Sequence, residues 1–347
     1  MELGLANGIL VKEGKVKIAL DPACNFKKQI DLAVFSHAHA DHVRSISDFP
    51  NIVATKETVK LAEVRYGVAL SGVRYLKYGS NYSIAGISLS LHSAGHVLGS
   101  AQIRVQGREK SMLYTGDLKP RIGLTTDKAN PIESDILIIE STYGSPEYNF
   151  PPRDQVYQQI VDWVDQRFSK GIDVLIGGYV LGKAQELTKM FNQHGIVPLV
   201  HPKIYKINKV YEEFGVKLGK YVNSESERGT ELMSGDFVCI VPVSNIKTRI
   251  LNGLRNLSGA AHISTAVATG WAVSPVVKYR YGCEYAFPLS DHADFEELIM
   301  FVKQVNPKLV YTTHGFANRL AKEIRRRLKI RAEAIGLFEQ RKLFEFV

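Results

Sequence analysis

Three of the ten histidines in this chain stand within six residues, in the run Ser36-His37-Ala38-His39-Ala40-Asp41-His42. In an extended loop, residues two apart point the same way. His37 and His39 can therefore grip one cation while the turning chain offers Asp41 and His42 to a second. Imidazoles joined by carboxylates suit zinc, and a carboxylate shared by two ions holds them about 3.5–4 Å apart. The bland alternative is a polar surface loop with Asp41 near a helix start, and the density of ligand-type residues argues against it. More ligands are then expected downstream. His96, in His92-Ser93-Ala94-Gly95-His96-Val97-Leu98-Gly99-Ser100, and Asp117, in Tyr114-Thr115-Gly116-Asp117, each follow an apolar run, and Asp21 directly follows Ile18-Ala19-Leu20.

Such residues can meet only if the strands before them end at one rim. The runs Val16-Lys17-Ile18-Ala19-Leu20, Leu32-Ala33-Val34-Phe35, Ile87-Ser88-Leu89-Ser90-Leu91, Ala101-Gln102-Ile103-Arg104-Val105, Ser111-Met112-Leu113-Tyr114 and Ile136-Leu137-Ile138-Ile139 read as strands. Ala54 to Tyr66, free of Gly and Pro, reads as a helix. Composition changes at Gly144-Ser145-Pro146 and Pro151-Pro152, and a second α/β pattern follows from about 153 to 270. The tail adds Asp294 to Val305, Leu309-Val310-Tyr311-Thr312 and a helix through Ala317 to Leu328. No repeat of 20 to 50 residues stands out.

The series Asp21, His37-Ala38-His39-Ala40-Asp41-His42, His96 and Asp117 resembles the metallo-β-lactamase fold, an α/β, four-layer αββα sandwich. Glu140 in Ile138-Ile139-Glu140-Ser141-Thr142-Tyr143-Gly144, His292 in Leu289-Ser290-Asp291-His292-Ala293-Asp294, His314 in Thr312-Thr313-His314-Gly315, and the run Gly182-Lys183-Ala184-Gln185-Glu186 resemble its β-CASP nuclease branch. The resemblance implies a core from residues 1–146 and 271–347, with an inserted α/β β-CASP domain at 147–270. It implies two zinc ions, manganese being the alternative metal. His37, His39 and His96 are expected to hold the first, Asp41, His42 and His314 the second, and Asp117 to bridge. Asp41, Glu140 and His292 are the expected catalytic residues, Glu140 and His292 forming an acid dyad that protonates the departing sugar oxygen. Asp21 is expected to orient a ligand from behind, and Lys183 to meet substrate.

The expected activity is hydrolysis of phosphodiester bonds in single-stranded or end-accessible nucleic acid. His314 resembles the RNA-processing members, which places RNA first. The alternative is a DNA exonuclease of the ligase-associated type, which Arg65-Tyr66-Gly67 and Ser290-Asp291-His292-Ala293-Asp294-Phe295 also resemble. A small-molecule metallo-hydrolase leaves the insert unexplained, and a catalytically silent nucleic-acid-binding subunit does not need an intact ligand set.

Composition sets outer bounds. The 347 residues, 45% hydrophobic and 23% charged, exclude a disordered chain or a stapled mini-protein. Three cysteines without a CxxC imply no disulfide framework, and no apolar run approaches the roughly 18 residues of a membrane span. A cytoplasmic protein with no membrane partner is the expectation, its oligomeric state open, a homodimer included. The formal charge of +9 is compatible with RNA or single-stranded DNA as partner. Lys322, Arg325, Arg326, Arg327, Lys329 and Arg331 accompany Leu320, Ile324 and Leu328 at helical spacing, the pattern of a solvated cationic helix face.

Overall fold

A computed structural model describes residues 2–4, 8–23, 30–246 and 263–335. The chain divides into two compact units, Met1–Tyr148 with His292–Val347, and Asn149–Asp291.

The first unit contains two sheets. One has six strands in the order Glu2–Gly4, Ile9–Glu13, Val16–Leu20, Leu32–Val34, Ile52–Ala54, Val73–Tyr75, antiparallel at its start and parallel from Val16 onward. The other has seven, in the order Arg331–Ala334, Leu309–Thr313, Ile136–Glu140, Ser111–Tyr114, Ala101–Gln106, Ile87–Ser93, Asn81–Ile84. Strand alternation puts Ile18, Leu20, Val34 and Val53 of the first sheet, and Leu89, Leu91, Ile103, Val105, Met112, Tyr114 and Ile138 of the second, in one shared core. The outer face of the second sheet buries Leu113, Leu137, Ile139 and Val310 against Phe295, Leu298, Phe301 and Val302 of helix Phe295–Val305 and Leu320 and Ile324 of helix Ala317–Leu328. On the first sheet Ala19, Ala33 and Ile52 are buried on the opposite face, as are Val59, Leu61 and Ala62 of helix Lys56–Tyr66. The architecture is the four-layer αββα sandwich.

Parallel pairing aligns the strand exits. Leu20 pairs with Val34 and Val34 with Val53, while Tyr114 pairs with Ile138 and Glu140 with Thr313. Asp21, Ser36-His37, Asp117, Glu140 and His314 consequently emerge at strand ends of the same sense. Asp21 and His314 take left-handed backbone, φ 41° and 63°. Gly315, φ 46°, lies so close to the backbone of Ser141 that an added Cβ would stand 2.3 Å from the Ser141 carbonyl oxygen. Only glycine fits that turn.

The second unit is a parallel sheet in the order Val222–Asn223, Leu199–Val200, Val238–Pro242, Asp173–Gly178, Ile263–Ala268, Tyr285–Phe287, with helices Arg153–Phe168, Lys183–Gln193 and Pro202–Glu213 among its connections. Helix Arg153–Phe168 buries Val156, Ile160 and Val164, one face at i, i+4 spacing. The insert ends later than the expected 270. Ala266, Val267 and Ala268 pair with Tyr285, Ala286 and Phe287, which makes the last of these strands an edge of the insert's own sheet.

The cationic helix Ala317–Leu328 is largely compensated from within its own unit. Glu323 meets Arg326 at 2.7 Å and Arg327 at 3.1 Å, and Arg327 also meets Glu296 at 2.7 Å. Among the described residues, no helix is long and apolar enough to cross a membrane.

Candidate metal centre

Every residue of this centre belongs to the first unit. His37 Nε2, His39 Nδ1 and His96 Nε2 face one another, His39 standing 3.1 Å from His37 and 3.0 Å from His96. Asp117 Oδ2 lies 3.3 Å from His37 Nε2 and 3.4 Å from His96 Nε2. Four donor atoms about 2.1 Å from a tetrahedral ion are about 3.4 Å apart. The observed separations fit that edge length, and the four ligand atoms all lie within 4.8 Å of one another. The chain thus carries a His/Asp metal-binding cluster.

The electrostatics agree with lone pairs held ready. Burial, aided by the charge of His42, holds His37 well below the usual imidazole range. Burial, then His96 and Arg65, brings His39 down to about 3. Burial alone would raise Asp117, yet His42 and His37 hold its carboxyl well below the carboxylate range. At neutral pH the first two are uncharged imidazoles and the third is an anion, the protonation states a cation requires.

Asp117 turns its other oxygen elsewhere. Its Oδ1 stands 3.4 Å from His42 Nε2, which is 3.8 Å from Asp41 Oδ2. His42 Nε2 is buried and makes no hydrogen bond. Burial works against a charge on His42, but the carboxylates of Asp117, Asp41 and Asp21 hold it well above its ordinary value. A metal ion would take the place of that proton. The His314 ring stacks on His42 with centroids 5.5 Å apart, and both line one pocket with Asp41, Asp21 and Tyr114. The donor set expected for a second ion is therefore assembled around one pocket, although Asp41 keeps 69% of its side chain exposed.

Asp21 sits behind these ligands. Its Oδ1 accepts the Ser36 N–H at 2.7 Å, and its Oδ2 accepts Ser36 Oγ at 2.5 Å, His42 Nδ1 at 2.7 Å and the Tyr114 hydroxyl at 2.9 Å. Because Ser36 gives its only hydroxyl proton to Asp21, its Oγ accepts from His37 Nδ1 at 3.0 Å. His37 and His42 are both left with Nε2 directed inward. Ser36 and Tyr114, which the sequence motifs do not single out, join the ligands through these hydrogen bonds; Ser36 is adjacent to His37, and Tyr114 ends the strand before Asp117. Asp21→Asn tolerates the left-handed backbone but removes the anion. It is expected to weaken metal binding by about 10–100-fold in competition with a chromogenic chelator, with the circular dichroism spectrum unchanged.

Glu140 is buried at the end of its strand. Its Oε1 accepts the Leu118 N–H at 2.6 Å, and both oxygens stand 3.0 Å from His292 Nδ1. The anchored carboxylate orients His292 so that Nε2 looks toward Asp117 Oδ2 at 4.0 Å. Asp117, Glu140 and His292 also gather ligand atoms within 4.8 Å. The hydrogen bonds already made by Glu140 favour a proton-transfer pair over a third metal position.

Lys183 is placed differently from the expected substrate contact. Its side chain is 2% exposed, with Nζ 2.9 Å from Asp291 inside the second unit. Arg153 joins the same buried group, 2.9 Å from Glu186 and 3.4 Å from Asp291. Arg255, a further cation of the 147–270 segment, lies outside the described residues.

Residues 283–334 match the family described as Zn-dependent metallo-hydrolase RNA specificity domain. A protein of Opitutus terrae named probable DNA ligase is 36% identical over 304 residues, which is 87% of this chain and 28% of that one. An RNase J-like protein of Methanocaldococcus jannaschii is 31% identical over 187 residues, 48% of this chain and 44% of its own. In its matched segment and in these relatives the chain is similar to metallo-β-lactamase β-CASP nucleases. It spans less than half the length of these two relatives. A crystal structure of a protein of unknown function from Enterococcus faecalis V583 has the same fold, with TM-score 0.64 and 14% identity over 92% of this chain and 94% of that one. The histidine and carboxylate positions Asp21, His37, His39, Asp41, His42, His96, Asp117, Glu140, His292 and His314 all fall in the first unit, although 293 positions separate the first from the last, whereas Lys183 lies in the second.

Proposed function

We propose that the protein is a two-zinc phosphodiesterase that cuts nucleic acid at single-stranded or end-accessible sites. The observation that carries this reading is the double aspect of Asp117, one oxygen toward His37 and His96 and the other toward His42. His37, His39, His96 and Asp117 would hold one ion, and Asp41, His42 and His314 with Asp117 a second; when bound, these would supply charge neutralisation on the phosphoryl group and activation of water. The chain's own groups supply the rest. Glu140 holds His292 by Nδ1, and the Nε2 proton of the imidazolium goes to the leaving sugar oxygen as the P–O bond breaks.

RNA as substrate is supported by the matched RNA specificity domain and the RNase J-like relative. A second reading, trimming of DNA ends, is favoured by a specific observation. The Opitutus terrae relative, 36% identical over 87% of this chain, is named probable DNA ligase. The deciding experiment digests single strands of RNA and DNA, each labelled at one terminus, with zinc or manganese, after elemental analysis of the purified protein. Chelation is expected to abolish cutting and zinc to restore it. A preparation that holds no transition metal, takes none up and cuts fully in chelator overturns the proposal. Product ladders separate internal from terminal cleavage, and the preferred sugar separates the two readings.

A further inference from the structure

Helix Lys56–Tyr66 ends beside the metal loop, and its last two residues converge on one atom of that loop. Arg65 donates to the Ala38 carbonyl oxygen at 2.5 Å, and the Tyr66 hydroxyl approaches the same oxygen at 3.4 Å. Ala38 is the residue between His37 and His39. The helix stops there because Gly67 turns left-handed, φ 66°, and gives its N–H to Glu63 O. The Arg65 guanidinium lies over the Tyr66 ring, 5.2 Å from its centroid. The two ends of the tyrosine differ. Burial pushes the phenol above its ordinary value, with Arg65 opposing and Asp41 and His42 close enough to act on it, whereas the residue as a whole is 40% exposed. An exposed aromatic ring is thus held by a cation and by its own hydroxyl at the lip of the metal centre.

We propose that Tyr66, held by Arg65, is the platform on which a nucleobase flanking the scissile phosphate stacks. This inference rests on the nucleic-acid reading above. Every base has a π-face, so a ring pinned beside the metal ligands would position a single strand without selecting its sequence, and the neighbouring guanidinium suits the charge of the backbone. Tyr66 is on this view a substrate-binding residue, and Arg65 positions it.

The test uses the zinc-loaded protein and its Tyr66→Leu and Tyr66→Phe variants. The probes are labelled single-stranded oligonucleotides in which one base at a time is replaced by an abasic residue, with both Kd and KM recorded. In the parent, one abasic position beside the cut should raise Kd and KM by roughly tenfold relative to the intact strand. In Tyr66→Leu that ratio should fall to about one, and in Tyr66→Phe, which keeps the ring, it should persist. The proposal is overturned by an unchanged ratio in Tyr66→Leu, by Tyr66→Phe behaving like Tyr66→Leu, by loss of zinc from Tyr66→Leu, or by strands that do not bind at all. Strands that bind with the expected ratio but stay intact instead overturn the hydrolase reading and leave the stacking inference standing.

Discussion

Asp117→Ala is expected to lower strand hydrolysis by about a thousandfold or more, and to bring the zinc content from two ions per chain to one or none. The magnitude follows from what the carboxylate touches. It stands 3.3–3.4 Å from three imidazole nitrogens on two sides, so its removal takes a ligand from both expected ion positions. A metal's stabilisation of the developing phosphoryl charge is worth several kcal/mol, and about 4 kcal/mol corresponds to a thousandfold in rate. The folded state should survive, because the Asp21 arrangement with Ser36, His42 and Tyr114 does not pass through Asp117. Elemental analysis and single-turnover rates check both halves. A variant that retains two ions and the parent rate removes Asp117 from the centre.

His292→Ala and Glu140→Gln are expected to slow cleavage of an ordinary strand by about 10²–10⁴-fold, the range for loss of a positioned general acid. The zinc content of His292→Ala should match the parent. The diagnostic comparison is a thymidine 5′-phosphodiester with a p-nitrophenyl leaving group, whose oxygen needs no proton to depart. On that substrate the loss in His292→Ala should shrink to a few-fold. Since Glu140 acts through His292 Nδ1, the double variant should be little worse than His292→Ala alone. An equal loss on both substrates would assign His292 to metal or substrate binding instead.

The spacing in Ser36-His37-Ala38-His39-Ala40-Asp41-His42 was readable because few uses other than metal binding explain so many nitrogen and oxygen ligands at a strand exit. His96 and Asp117 were readable because each follows an apolar run. Lys183 illustrates the opposite case. A lysine at a helix start looks like a phosphate contact in one dimension, but this ammonium is taken by Asp291, far along the chain, inside the second unit. The later end of the insert was hidden for a similar reason. A three-residue strand such as Tyr285–Phe287 has no periodicity of its own and is defined only by pairing with Ile263–Ala268.

Local pattern was enough to name the ligand types, the alternation of strands and the apolar faces, because these depend on neighbours within a few residues. Which oxygen of Asp117 meets which histidine, which nitrogen of His37 keeps its lone pair, and where Tyr66 meets Ala38 depend on the register of strands and loops far apart in the chain. Hydrogen-bond direction and ring orientation exist only once both partners are in place, and that is why packing of the two sheets, rather than any motif, settled them.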